Sequence, residues 1–129
     1  MDRIYESFAK QTMMQTLGAE LTRVASGQVD ITAPILEGSK QQHGAGHAAL
    51  AFAIGDSAAG YAALTMMKEG AEVMTAEIKI NLLAPSVNGP LLAKGRVVKA
   101  GRRLIVVQSD IFDAKGKQIA ILQGTMVPV

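Results

Sequence analysis

The most regular hydrophobic pattern lies in the second half of the chain. Within residues 73–83, Ala76, Ile78, Ile80 and Leu82 alternate with Glu77, Lys79 and Asn81. A period of two predicts a β-strand with one buried face. Three further strand signals follow. Residues 91–99 end at Ala100-Gly101, residues 103–112 end at the hairpin-turn sequence Asp113-Ala114-Lys115-Gly116-Lys117, and residues 118–127 close the run. Short connections between them predict an antiparallel meander.

The first half is more helical. Residues 2–17 place Ile4, Phe8 and Met13 or Met14 on one face, which predicts an amphipathic helix docked on a larger body and ended by Gly18. Residues 20–33 are rich in β-branched side chains and carry Ser26-Gly27 at their middle. They predict one strand with a turn or bulge, stopped by Pro34. Residues 38–46 form a polar loop, and residues 47–68 a long alanine-rich helix ended near Lys68-Glu69-Gly70. Helix, strand, long helix and four strands make one α+β domain over residues 1–129, with one long helix against one antiparallel sheet.

The long helix is unusual in having no polar side. At about 100° per residue, Leu50, Ile54, Ser57, Tyr61 and Leu64 form one stripe, expected to face the sheet. Ala51, Phe52, Gly55, Ala59, Ala62 and Ala63 lie opposite and are apolar as well. A helix apolar all round is buried all round. A second copy of the chain is therefore expected over the side that the sheet leaves free.

Asp56 sits in this buried helix, off the main stripe, where a carboxylate is rare unless it is paired or used. His47 lies nine residues earlier. Nine residues turn a helix by about 900° and advance it by about 13.5 Å, so the two side chains of one chain do not converge. A site using both is shared between antiparallel helices of two subunits. The first amides of the helix carry the positive end of its dipole, and Ala48 and Ala49 bring no bulky side chain in front of them. Such amides suit an oxyanion hole.

Composition narrows the function classes. Thirteen basic and eleven acidic residues are too evenly balanced for a nucleic-acid-coating protein, and no basic-aromatic pattern supports one. Lys94, Arg96, Lys99, Arg102 and Arg103 do cluster, which suits either an anionic phosphate group or a solvated face. The absence of cysteine excludes disulfides and thiolate catalysis and fits a reducing compartment. The first ten residues hold no apolar signal segment, so a cytoplasmic location is expected. Residues 48–67 are long enough to span a bilayer, but Asp56 at their middle costs roughly 2.5–3.5 kcal/mol there. A buried helix and no membrane association are expected. No His, Asp and Glu set has metal-ligand spacing, so neither metal nor cofactor is expected.

The run Gln41-Gln42-His43-Gly44-Ala45-Gly46-His47, continued by Leu50 and by Asp56-Ser57-Ala58-Ala59-Gly60-Tyr61-Ala62-Ala63, resembles the PaaI-like hotdog thioesterases. Their signature is a His-Gly-Gly at a helix start with a helical acid nine residues after the His, the spacing of His47 and Asp56. Ala48-Ala49 replaces Gly-Gly here. Residues 75–85 and 95–102 resemble the following strands of that family.

The resemblance implies a hotdog fold and hydrolysis of an acyl-CoA thioester without a cofactor, by a homodimer or homotetramer. It implies Asp56 as nucleophile or general base, the Ala48 amide as carbonyl-polarising donor, and His47 as an ordering group. Gln41 would position water or the thioester, and Thr75 would orient the nucleophilic water. Asp56 and Thr75 would come from one subunit, and Gln41, His47 and Ala48 from its neighbour. Ala49 would line the substrate, and Lys99, Arg102 and Arg103 would hold CoA phosphates. A hotdog module that binds acyl-CoA without cleaving it, as sensor or scaffold, is the alternative.

Overall fold

The period-two stretches become strands. A computed structural model, which describes residues 1–129, contains helices α1 (Asp2–Ala9), α2 (Thr12–Leu17) and α3 (Ala48–Leu64). Its strands are β1 (Glu20–Ala25), β2 (Gln28–Ala33), β3 (Val73–Leu82), β4 (Leu91–Ala100), β5 (Ile105–Phe112) and β6 (Gln118–Pro128). All strand pairs are antiparallel, and the six form one sheet in the order β1-β2-β4-β5-β6-β3. The expected α+β architecture is present, with α3 as the long central helix of a hotdog arrangement. Strand β5 shows how alternation builds the core: Ile105, Val107, Ser109 and Ile111 are buried, and the residues between them are half-buried. No helix is long and apolar enough to cross a membrane.

The chain path departs from the alternation-based expectation in three places. The N-terminal helix is two helices, with Gln11 extended between them at φ −79, ψ 93. Ile4 and Leu17 are both buried, yet thirteen residues of straight helix would set them about 140° apart. The break turns both inward, and each fully buried side chain of this size stabilises by roughly 1.5–3 kcal/mol. The first strand is a hairpin, β1 and β2, turned at Ser26-Gly27 with Gly27 at φ 72. The meander holds for β4, β5 and β6 only. β3 crosses to the far edge and pairs with β6, while β2 takes the place beside β4.

The packing of α3 also differs from the stripe argument. Both of its sides are buried within one chain, and only Ala48, Ala49 and Phe52 at its first turns are exposed. The small residues, not the stripe alone, meet the sheet. A Cβ on Gly95 of β4 would lie 2.3 Å from the Ala58 carbonyl carbon, and one on Gly55 would lie 2.8 Å from Leu122. Ser109 donates to the Gly55 carbonyl at 2.6 Å. Glycine and alanine let the helix press so deeply into the sheet that strands β2 to β6 all reach it. A second subunit is therefore not needed to bury the alanine side.

The C-terminal end of α3 falls at Leu64, short of the expected Lys68. Thr65 closes it by donating to the Ala62 carbonyl at 2.6 Å and accepting from the Gly27 amide at 2.8 Å. Arg3 reaches over from α1. Its Nη1 donates to the Lys68 carbonyl at 2.8 Å, and its Nη2 donates to those of Leu64 and Met67 at 2.6 Å each. A guanidinium at the negative end of a helix dipole is favourable, and it fastens the N-terminal helices across α3.

Candidate active site

Asp56 stands in the middle of α3, half-buried, at the rim of a cleft of about 270 Å³. Desolvation pushes its carboxyl above the ordinary aspartate value, and a hydrogen bond from Thr75 acts in the opposite direction. Thr75 Oγ1 donates to Asp56 Oδ1 at 2.8 Å and lies 3.3 Å from Met126 Sδ.

Strict alternation would put Thr75 on the polar face with Glu77 and Lys79. A bulge prevents this. Thr75 pairs with Met126 and Glu77 with Thr125, so Ala76 is the extra residue. Before the bulge Val73 and Thr75 face inward, and after it Ile78 and Ile80 do. Glu77, on the other face, accepts a hydrogen bond from Thr125.

The loop before α3 builds a second group. Gly44 takes φ +87, a left-handed conformation that glycine adopts without steric cost. Gln41 Oε1 accepts from the amides of His43 at 2.6 Å and Ala45 at 3.2 Å. The Gly46 amide donates to the Ser86 carbonyl at 2.7 Å, and the His47 amide to the Ser39 carbonyl at 2.8 Å. His47 is the N-cap of α3: its Nδ1 accepts from the Ala49 amide at 2.9 Å, which leaves the hydrogen on Nε2. The Leu50 amide is bonded to the His47 carbonyl. The Ala48 N–H at the helix start has no partner in the chain. Ala49, expected to face substrate, spends its amide on His47 and offers only its exposed methyl.

One chain keeps these groups apart. Gln41, His47 and Ala48 line a cleft of about 540 Å³ with Leu82 and Leu83, whereas Asp56 and Thr75 line the other. Lys99, Arg102 and Arg103 lie exposed at the β4–β5 turn, and Arg102 faces a third cleft, of about 700 Å³, beyond the C-terminal end of α3. Sequence reasoning missed Ser7 and Gln11, which line the Asp56 cleft. They are about fifty residues away along the chain, and no local pattern marks them.

Known proteins share this architecture. Residues 43–120 match the family model of the thioesterase superfamily. An inferred esterase of Saccharolobus solfataricus is 29% identical over 129 residues, 98% of this chain and 84% of the relative. The crystal structure of a thioesterase family protein from Silicibacter pomeroyi is 36% identical, with a TM-score of 0.94 over 98% of this chain and 95% of that one. The Escherichia coli PaaI protein, from a phenylacetic acid degradation operon, shares the fold with a TM-score of 0.89 at 20% identity, over 97% and 89% of the two chains. The match runs from His43 through His47, all of α3 with Asp56, and Thr75 on β3, and by it the chain belongs to the thioesterase superfamily, whose chemistry is thioester hydrolysis.

Proposed function

We propose that the chain hydrolyses acyl-CoA thioesters, with the Asp56 carboxylate at the reacting centre. The observation that carries the reading is a desolvated carboxylate at the edge of a cleft, held in place by a hydroxyl donor. A raised proton affinity suits Asp56 to take the proton of an attacking water or to attack the thioester carbon itself. The C–S bond breaks, the acyl carbon gains a hydroxyl, and the thiol leaves with a proton. The unpartnered Ala48 N–H suits the oxygen that gathers negative charge on the way.

Ala48 and Asp56 are eight residues apart, about 12 Å along the helix. The reading therefore takes Asp56 and Thr75 from one subunit and Gln41, His47 and Ala48 from its neighbour, in a dimer or tetramer. Two features support it. β3 pairs on one side only, so one edge of its backbone is free. Leu82 and Leu83 at the end of that strand, and Phe52 on α3, are exposed apolar side chains, at 56%, 55% and 36%. The CoA phosphates are assigned to Lys99, Arg102 and Arg103, which form no ion pair in the chain.

Ala48→Pro tests the oxyanion role cleanly. His47 has φ −63, ψ 145, the extended backbone that a residue before proline adopts. Proline is also favoured at the first helical position. The substitution removes the N–H and keeps the helix, so kcat is expected to fall roughly 10²–10³-fold with the melting temperature little changed. Thiol release from a panel of aliphatic and aromatic acyl-CoAs measures the rate. Undiminished turnover would remove Ala48 from the reaction, and acyl-CoA binding without turnover in the wild type would favour the sensor or scaffold reading.

Thr75→Val removes the donor that favours ionised Asp56. The acid limb of the kcat/KM profile is expected to move to higher pH. A limb that stays in place would show that Thr75 does not act on the titrating group.

A further inference from the structure

The Asp56 cleft has a polar far wall built by the N-terminal helices. Tyr61 of α3 is only 5% exposed, and its ring meets Phe8 edge-on with centroids 6.2 Å apart. Its hydroxyl accepts a hydrogen bond from Gln11 Nε2 at 2.7 Å and shares one with Ser7 Oγ at 3.0 Å. Ser7, Gln11 and Tyr61 line the same cleft as Asp56. The wall exists because the helix breaks at Gln11 and Arg3 fastens α1 over α3.

A count of donors and acceptors shows what this wall leaves over. Ser7 and Tyr61 bring two hydroxyl hydrogens, and one of them lies between their oxygens. Whichever residue donates, the other hydrogen has no acceptor in the chain. Gln11 Oε1 has no donor in the chain either. The second Nε2 hydrogen of Gln11 is unpartnered as well. Two donor hydrogens and the Gln11 Oε1 acceptor therefore remain for an occupant of the cleft. A methyl-ended acyl group would take water from these groups and satisfy none of them, which is unfavourable. A hydroxyl accepts from one of the hydrogens and donates to Gln11 Oε1. The cleft volume of about 270 Å³ is at the small end for ligand sites, which favours a compact group.

We infer that Ser7, Gln11 and Tyr61 determine specificity by selecting compact acyl groups that end in a hydroxyl over methyl-ended analogues. The inference rests on the reading of the Asp56 cleft as the acyl site. Paired straight-chain acyl-CoA thioesters, with and without a terminal hydroxyl, test it by hydrolysis. The matching thioether analogues, which cannot be cleaved, test it by calorimetric binding. The hydroxylated member is expected to show about tenfold or more higher kcat/KM, expressed mainly in KM, and about tenfold tighter thioether binding. Ser7→Ala and Gln11→Leu should each shrink both ratios, and Tyr61→Phe should bring them near unity, in variants whose melting curves show a folded protein. Equal treatment of the two members by the wild type overturns the inference, as does a preference that survives in the Ser7→Ala, Gln11→Leu double variant. Thioether preference without hydrolysis of any thioester upholds the inference and overturns the hydrolytic reading alone.

Discussion

Asp56→Asn is expected to lower kcat by about 10²–10⁴-fold, the usual worth of a positioned general base, and to raise the melting temperature at neutral pH. Asparagine keeps the oxygen that accepts from Thr75 at 2.8 Å, so the geometry survives and only the charge is lost. The two effects have one cause. Desolvation in the folded state raises the Asp56 pKa above its unfolded value. Its favourable contribution is therefore present below the unfolded pKa and is lost as pH rises through the folded one. At neutral pH the wild type carries a desolvated charge that the amide does not. Melting curves of the two proteins should converge below the ordinary aspartate range and separate above it, with the variant higher. Thiol-release assays supply the rate. Full activity in the variant would remove Asp56 from the mechanism, and a variant less stable at neutral pH would contradict the desolvation account.

Gly95→Ala is expected to cost more than about 3 kcal/mol, beyond the usual range for overpacking and a large share of the about 5–15 kcal/mol that holds an ordinary domain together. The added Cβ would lie 2.3 Å from the Ala58 carbonyl carbon, 2.4 Å from its oxygen and 2.6 Å from the Ala59 amide nitrogen. All three are backbone atoms, so no rotamer change relieves the clash and α3 must lift off β4. Gly60→Ala is the control. Its Cβ would meet Met126 at 3.8 Å, an ordinary contact, and alanine in a helix interior gains about 0.5–1 kcal/mol over glycine. Urea denaturation of the two variants should give changes of opposite sign. Similar midpoints would refute the close helix–strand contact.

Legibility in the sequence followed the range of the interaction. Strand β5 was readable because Ile105, Val107 and Ile111 alternate with residues of the outer face, and alternation is a local consequence of backbone geometry. Gly18 ended its helix as expected, with φ 67. Asp56 was readable as a candidate because a carboxylate in an all-apolar helix is out of place wherever that helix packs. Thr75 was readable as a residue type only. Its direction depends on the bulge at Ala76, which arises from the pairing of β3 with β6 and leaves no mark in the spacing of β3.

By itself, then, the sequence determined the strands of the second half and the long helix, the suspicious carboxylate, and a helix start whose Ala48 amide is free. Periodicity, turn residues and helix termini act within a few residues of one another, so the order of the letters contains them. Only the tertiary structure decided that β3 sits at the sheet edge and that the small residues of α3 press against Gly95 and Leu122. It also decided that Ser7 and Gln11 reach Tyr61 across about fifty residues of chain. These are contacts between segments far apart in sequence, and they are selected by shape and hydrogen-bond satisfaction.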